Sequence, residues 1–182
     1  MVDFRLKRSV MLYDALHGFR AGRCAGIATL EAKLAQQLVG ISHKPLFQIF
    51  LDVRKAYDSL DRGRCMEILR GYVMVQNTAR LISHHWDSLT FVPEAKSFLG
   101  TAFGIDRGFT QRYLVSPMIF NILVDAAVRT VLEVLCGPHW LRHGMGWAAG
   151  EHNLVFYADD RRIARREHIW VQDALVVTVA ML

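Results

Sequence analysis

A chain of 182 residues is long enough for one domain with a buried core, and a composition 52% hydrophobic against 21% charged excludes a disordered polyampholyte. A formal charge of +5 and a pI near 9.4 suit a polyanionic partner without specifying one. The scattered cysteines, Cys24, Cys65 and Cys136, form no Cys-x-x-Cys pair and read as free buried thiols of a reducing compartment, not as a zinc framework.

The basic, irregular stretch 1–22 contains the breakers Gly18 and Gly22. From residue 24 to 39 (CAGIATLEAKLAQQLV) the spacing of Ile27, Leu30, Leu34 and Leu38 predicts a helix, closed by Gly40 and Pro45. Residues 46–53 (LFQIFLDV) read as a buried strand with its charge near the end. Asp61 is placed to cap a helix over 62–73, and a second helix follows near 77–89. Residues 90–104 suggest an irregular hairpin, and 105–117 a loop. The longest helical pattern, 118–135, buries a stripe of Met118, Ile122, Val124, Val128, Val131 and Leu135 and stops at Gly137 and Pro138. After a loop at 137–153, strands at 154–157 and 161–164 flank a tight turn at 158–160, and a last helix is expected from about Glu167. The sum is a mixed α+β layer with helices on one face of a sheet. No apolar run reaches the about 18 residues of a membrane span. The N-terminus carries no apolar signal-peptide core, so an intracellular chain (cytoplasm or nucleus), neither secreted nor in a membrane, is expected.

The chemistry sits at strand ends. Asp52 closes one predicted strand, and Asp159 and Asp160 occupy the turn of the predicted hairpin. Neighbouring strands run about 4.8 Å apart, so if these strands are neighbours the carboxylates come within reach of shared divalent cations. Mg²⁺ prefers such oxygen ligands, and a pair of ions can hold the attacking and leaving oxygens of a phosphoryl transfer. Taken alone, an Asp-Asp pair reads more simply as a turn cap beside a solvated carboxylate. His84 with His85, and His139 with His143, lack the cysteines or carboxylates that would complete a zinc site, and read as solvated or hydrogen-bonded histidines.

Four blocks stand in order: 18–23 (GFRAGR), 51–62 (LDVRKAYDSLDR), 108–125 (GFTQRYLVSPMIFNILVD) and 156–160 (FYADD). Together they resemble the conserved blocks of reverse transcriptases, closest to non-LTR retrotransposon and group II intron types, over roughly residues 17–180. The resemblance implies a polymerase palm, an antiparallel sheet backed by helices, over about 46–182. It also implies a remnant of the fingers over about 1–45, no thumb, and thus a truncated single domain. It implies RNA-directed DNA polymerisation with an RNA template, a DNA primer and dNTPs. Asp52, Asp159, Asp160 and the carbonyl of Val53 would hold two Mg²⁺ (or Mn²⁺) ions. Tyr57 would gate the incoming sugar, Gln111 would contact the nucleotide or template, and Arg20, beside Phe19, would lie near the template path.

The chain departs from the family where Arg112 and Tyr113 follow Gln111 in place of glycine and a small residue, and where Arg161 and Arg162 follow the aspartates. Arginine beside a metal-binding carboxylate can pair with it and compete with the metal. If the strand after the turn alternates, Arg161 and Ile163 face one way and Arg162 and Ala164 the other. These departures leave open an inactive relic of such an enzyme, or a basic module that binds nucleic acid without catalysis. An RNA-dependent RNA polymerase is disfavoured by Tyr57 at the gate position.

Overall fold

The computed structural model describes residues 6–8, 10–43, 45–52, 55, 57–72, 76–95, 98–109, 113–136, 152–157 and 160–165. They fall into two compact units, one of Met1–Val10 with Lys55–Ile119, the other of Met11–Arg54 with Phe120–Leu182. The elements are α1 (Ala25–Ser42), β1 (Phe47–Asp52), α2 (Arg62–Gly71), α3 (Gln76–Ser88), the short strands β2 (Thr90–Phe91), β3 (Glu94–Ala95), β4 (Phe98–Leu99) and β5 (Phe103–Gly104), then α4 (Ser116–Cys136), β6 (His152–Tyr157) and β7 (Asp160–Arg165). None of the described helices is long and apolar enough to cross a membrane. The helix expected from Glu167 and the histidines His139 and His143 lie outside the described residues.

In the second unit an antiparallel sheet runs β1-β7-β6. The hairpin expected around 158–160 therefore forms, and β7 is the middle strand. Its core carries Ile163, Val155 and Phe156, with Ile163 almost wholly buried. Leu16 pairs in parallel with Phe156, with His17 N–H donating to the Phe156 carbonyl at 2.8 Å and Phe156 N–H to the Ala15 carbonyl at 2.9 Å. The segment around Leu16 thus satisfies backbone groups on the outer side of β6, as buried polar backbone requires.

Asn121, Asp125 and Arg129 interrupt the apolar pattern of α4, and their spacing of four residues puts them on one stripe. The structure gives that stripe a purpose. Asn121 donates to the Gly18 carbonyl at 2.7 Å, Asp125 Oδ1 accepts from the Tyr13 N–H at 2.5 Å, and Arg129 donates to the Met11 carbonyl at 3.0 Å. Arg129 Nε also meets Asp125 Oδ2 at 2.6 Å, which compensates a carboxylate with no solvent exposure. The predicted apolar stripe of α4 is buried at Met118, Ile122, Val124, Val128 and Val131.

The helix α1 corrects the sequence reading. It runs past Gly40 to a left-handed cap at His43, whose N–H reaches the Gly40 carbonyl. Its leucines at 30, 34 and 38 are exposed, and the buried positions are Ala28 and Ala35. α1 packs on β6. Small side chains let a helix approach its support closely, and that contact overrides the apolar periodicity of the leucines. Among the cysteines, Cys24 differs from expectation and Cys65 agrees with it. Cys24 is exposed, whereas Cys65 is buried and its thiol is pushed up to about 12, first by burial and then by Asp61, which leaves it inert.

In the first unit α2 packs on α3. Asp61 caps α2 as expected, its side chain accepting from Arg64 N–H at 2.9 Å. The irregular hairpin of 90–104 resolves into two nested antiparallel pairs, β2 with β5 and β3 with β4. Trp86 and Phe109 stack in the core with centroids 5.0 Å apart.

Asp125→Ala strands the Tyr13 N–H and one face of Arg129. Because Arg129 keeps partial access to water, the expected loss is about 2–3 kcal/mol of unfolding free energy, read as a lower urea midpoint, with Asp125→Asn costing less.

Candidate functional site

The end of the sheet in the second unit gathers the acidic positions. The register sets Asp52 opposite Asp160, and Asp160 in turn opposite Tyr157. Directly opposed residues in an antiparallel pair have Cα atoms about 4.5–5.5 Å apart. The Asp52 side chain is exposed. A donor set of carboxylate and carbonyl oxygens matches hard Mg²⁺ or Mn²⁺ and not zinc. Val53, Asp159 and the side chain of Asp160 lie outside the described residues, among which no group of three His, Cys, Asp or Glu is placed to hold a metal. Along β7, Arg161 pairs with Leu51 and Phe156, and Arg162 with Phe50 and Val155.

Tyr57 belongs to the first unit, in a turn where Asp58 and Ser59 N–H groups both donate to the Lys55 carbonyl. This turn is strapped to the loop that leads to Gln111. Phe109 N–H donates to the Tyr57 carbonyl at 2.8 Å, and Gly108 N–H to the Leu60 carbonyl at 2.7 Å. Gly108 sits at φ +77°, and a Cβ there would meet Asp58 Cα and its carbonyl oxygen at 2.8 Å. Only glycine fits that close approach in that conformation. Arg62 fixes the strap from the other side. Its Nε donates to the Gly108 carbonyl at 2.9 Å, and its Nη1 reaches the carbonyls of Trp86 and Ile105. Its guanidinium lies 5.7 Å from the Trp86 ring centroid. Gln111 and Arg112 are outside the described residues. Tyr113 is folded onto α3, its ring stacked on His85 at 4.5 Å.

Arg20 lies in the second unit and is turned to internal work. Its Nη1 donates to the carbonyls of Tyr13 at 2.7 Å and Leu16 at 3.0 Å. Burial, and then the neighbouring Arg23, lower its pKa, with Asp14 and Asp125 opposing; an arginine stays charged through this. Phe19 beside it takes φ +54° and is half-exposed. His17 is wholly buried. Its Nε2 lies 3.1 Å from Glu31 Oε2, out of line for a hydrogen bond, and Nδ1 has no partner among the described residues. Burial lowers its pKa, aided by Arg23 and Arg20 and opposed by Glu31. Sequence reasoning missed Arg62, Gly108 and His17 as structural determinants. A glycine directly before an aromatic, as in Gly108-Phe109, is a weak signal, and nothing local marks the other two.

No family model and no curated protein matches the sequence. Solved structures do match. Apo telomerase from Candida tropicalis, truncated from its C-terminal domain, superposes with a TM-score of 0.67 at 15% identity, covering 97% of this chain and 34% of that one. Telomerase from Candida albicans, in complex with a TWJ fragment of telomeric RNA, gives 0.68 at 13% identity, covering 97% and 31%. The chain therefore spans about a third of the length of these structures. At such identity the likeness is one of fold. The chain has a telomerase-like, and so reverse-transcriptase-like, fold of helices and small antiparallel sheets.

Gly108→Ala should cost about 2–3 kcal/mol in urea unfolding, because strain and backbone overlap add. Gly104→Ala, where nothing lies near the added Cβ, should be close to neutral. His17 predicts a pH dependence. Its folded pKa lies below its ordinary 6.5, so the unfolded chain takes up the proton first. The stability it supports is complete above that value and is lost as pH falls through it toward the folded pKa. Urea midpoints should drop on acidification below 6.5, and His17→Gln should flatten that slope.

Proposed function

We infer that this chain is the palm with part of the fingers of a retroelement-type reverse transcriptase, whose parent reaction is RNA-directed DNA polymerisation. The observation that carries the reading is the pairing of Asp52 with Asp160 at one end of the sheet, in a fold shared with telomerase. The RNA present in one of the similar structures supports a nucleic-acid partner here. The substrates would be an RNA template, a DNA primer and a dNTP. Asp52, Asp159, Asp160 and the Val53 carbonyl would hold two Mg²⁺ ions, which when bound stabilise charge on the attacking and leaving oxygens.

The chain's own residues then have these tasks. The backbone pairing of Asp52 with Asp160 supports an acidic cluster that would be preorganised by the sheet. The oxygen of a primer 3′-hydroxyl would form a bond to the α-phosphorus of the dNTP, its proton passing to solvent, as the bond to the departing pyrophosphate breaks. Tyr57, in its strapped turn, would exclude a ribose 2′-hydroxyl, and Gln111 would meet the nucleotide or template. Arg20 contributes by clamping the segment around Leu16 beside β6.

A second reading, a basic module that binds nucleic acid without catalysis, is favoured by Arg161 and Arg162 directly after the aspartates in the central strand. Primer extension on a short RNA template with Mg²⁺ and dNTPs separates the two. Catalysis predicts extension that falls on the order of a hundredfold or more in Asp52→Asn and in Asp159→Asn/Asp160→Asn. RNA binding with no extension in the wild type would sink the catalytic reading and leave the binding module.

A further inference from the structure

The first unit carries a cleft that the polymerase chemistry does not use. It lies between α2 and α3 and has a volume of about 530 Å³. Met66 and Ala79, both buried, are among its lining residues and give it an apolar base. Arg70 stands one turn beyond Met66 on α2, and Arg80 and His84 stand one turn apart on α3. All three are exposed, and among the described residues neither arginine is in an ion pair. The acidic lining residue, Asp87, accepts a hydrogen bond from Ser83 at 3.3 Å. An apolar base between unpaired cationic walls is an unusual use of arginine, whose fork is suited to phosphate oxygens.

We propose that the α2–α3 cleft is a binding site for single-stranded polynucleotide, with Arg70 and Arg80 on successive phosphates and a base or ribose resting on Met66 and Ala79. A duplex would meet the walls with its phosphates and leave the apolar base unused, whereas a single strand can fill both. The ring N–H of His84 adds a donor, and Asp87 sets a limit on affinity by opposing the phosphate charge. Binding here requires no metal and does not depend on the catalytic reading of the sheet end.

The experiment is fluorescence anisotropy of a short labelled single-stranded RNA with the full chain in EDTA, across a salt series. Arg70→Ala/Arg80→Ala should weaken binding on the order of tenfold at low salt and reduce the salt slope by about 1.4, the share of two phosphate contacts on a single strand. Arg70→Lys/Arg80→Lys should keep most of the affinity, and Asp87→Asn should raise it. Arg64→Ala/Arg107→Ala removes the same charge from exposed positions outside the cleft and should fall far less. Circular dichroism melts establish that each variant is folded. Equal losses in the two alanine pairs would reduce the effect to net charge and overturn the proposal, as would wild-type protein that binds no RNA or an Asp87→Asn variant that binds less tightly. Failure of primer extension, by contrast, leaves this site standing.

Discussion

The register between β1 and β7 is the constraint on which the candidate chemistry depends. Side chains alternate across a strand, so sliding β1 by one residue would replace Asp52 with Leu51 opposite Asp160 and turn the strand's faces over. What holds the register is the apolar part of the same ladder. Ile163, nearly inaccessible to solvent, sits opposite Ile49 and Leu154, three residues along the ladder from the aspartates. Burial at one end of the strands therefore fixes distance at the other, where polar groups alone would repel each other and drift.

Much of this was legible in the sequence because it is local. The helices, the hairpin and the Asp61 cap follow from spacing and from single-residue chemistry, whereas the sequence brings residue 52 beside residue 160 only on the condition that their strands are neighbours, which they are. What was not legible depends on packing between distant residues. The leucines of α1 carry the periodicity of a buried face, yet Ala28 and Ala35 take the buried positions because close approach outweighs side-chain volume. The interruptions in α4 looked like blemishes in an apolar helix. They are the hydrogen-bonding stripe for residues 11–18, a partner more than a hundred positions away that no window of sequence contains.

The departures from the family pattern differ in kind. Tyr113 has found a place on His85, so its bulk is absorbed by a stacking contact on a helix. Gly108 keeps the conformation its position demands, pressed on the backbone of Tyr57 and Asp58 and held by Arg62. The loop on the way to Gln111 thus retains its anchoring even though the residues after the glutamine are unusual. The strap also ties Gly108 and Phe109 to the turn that carries Tyr57.

The docking of residues 11–18 has a consequence for how the chain is made. A ribosome releases this segment early, but its hydrogen-bond partners on α4 and β6 come from residues 121–129 and 156. Closing loops of that length is slow and costs chain entropy before any contact repays it. Until the distal part has emerged, the Tyr13 and His17 backbone amides have only water to satisfy them. The second unit's contacts to residues 11–18 therefore wait for the later part of the chain, while the first unit's Arg62 strap, spanning fewer than fifty residues, can close before it.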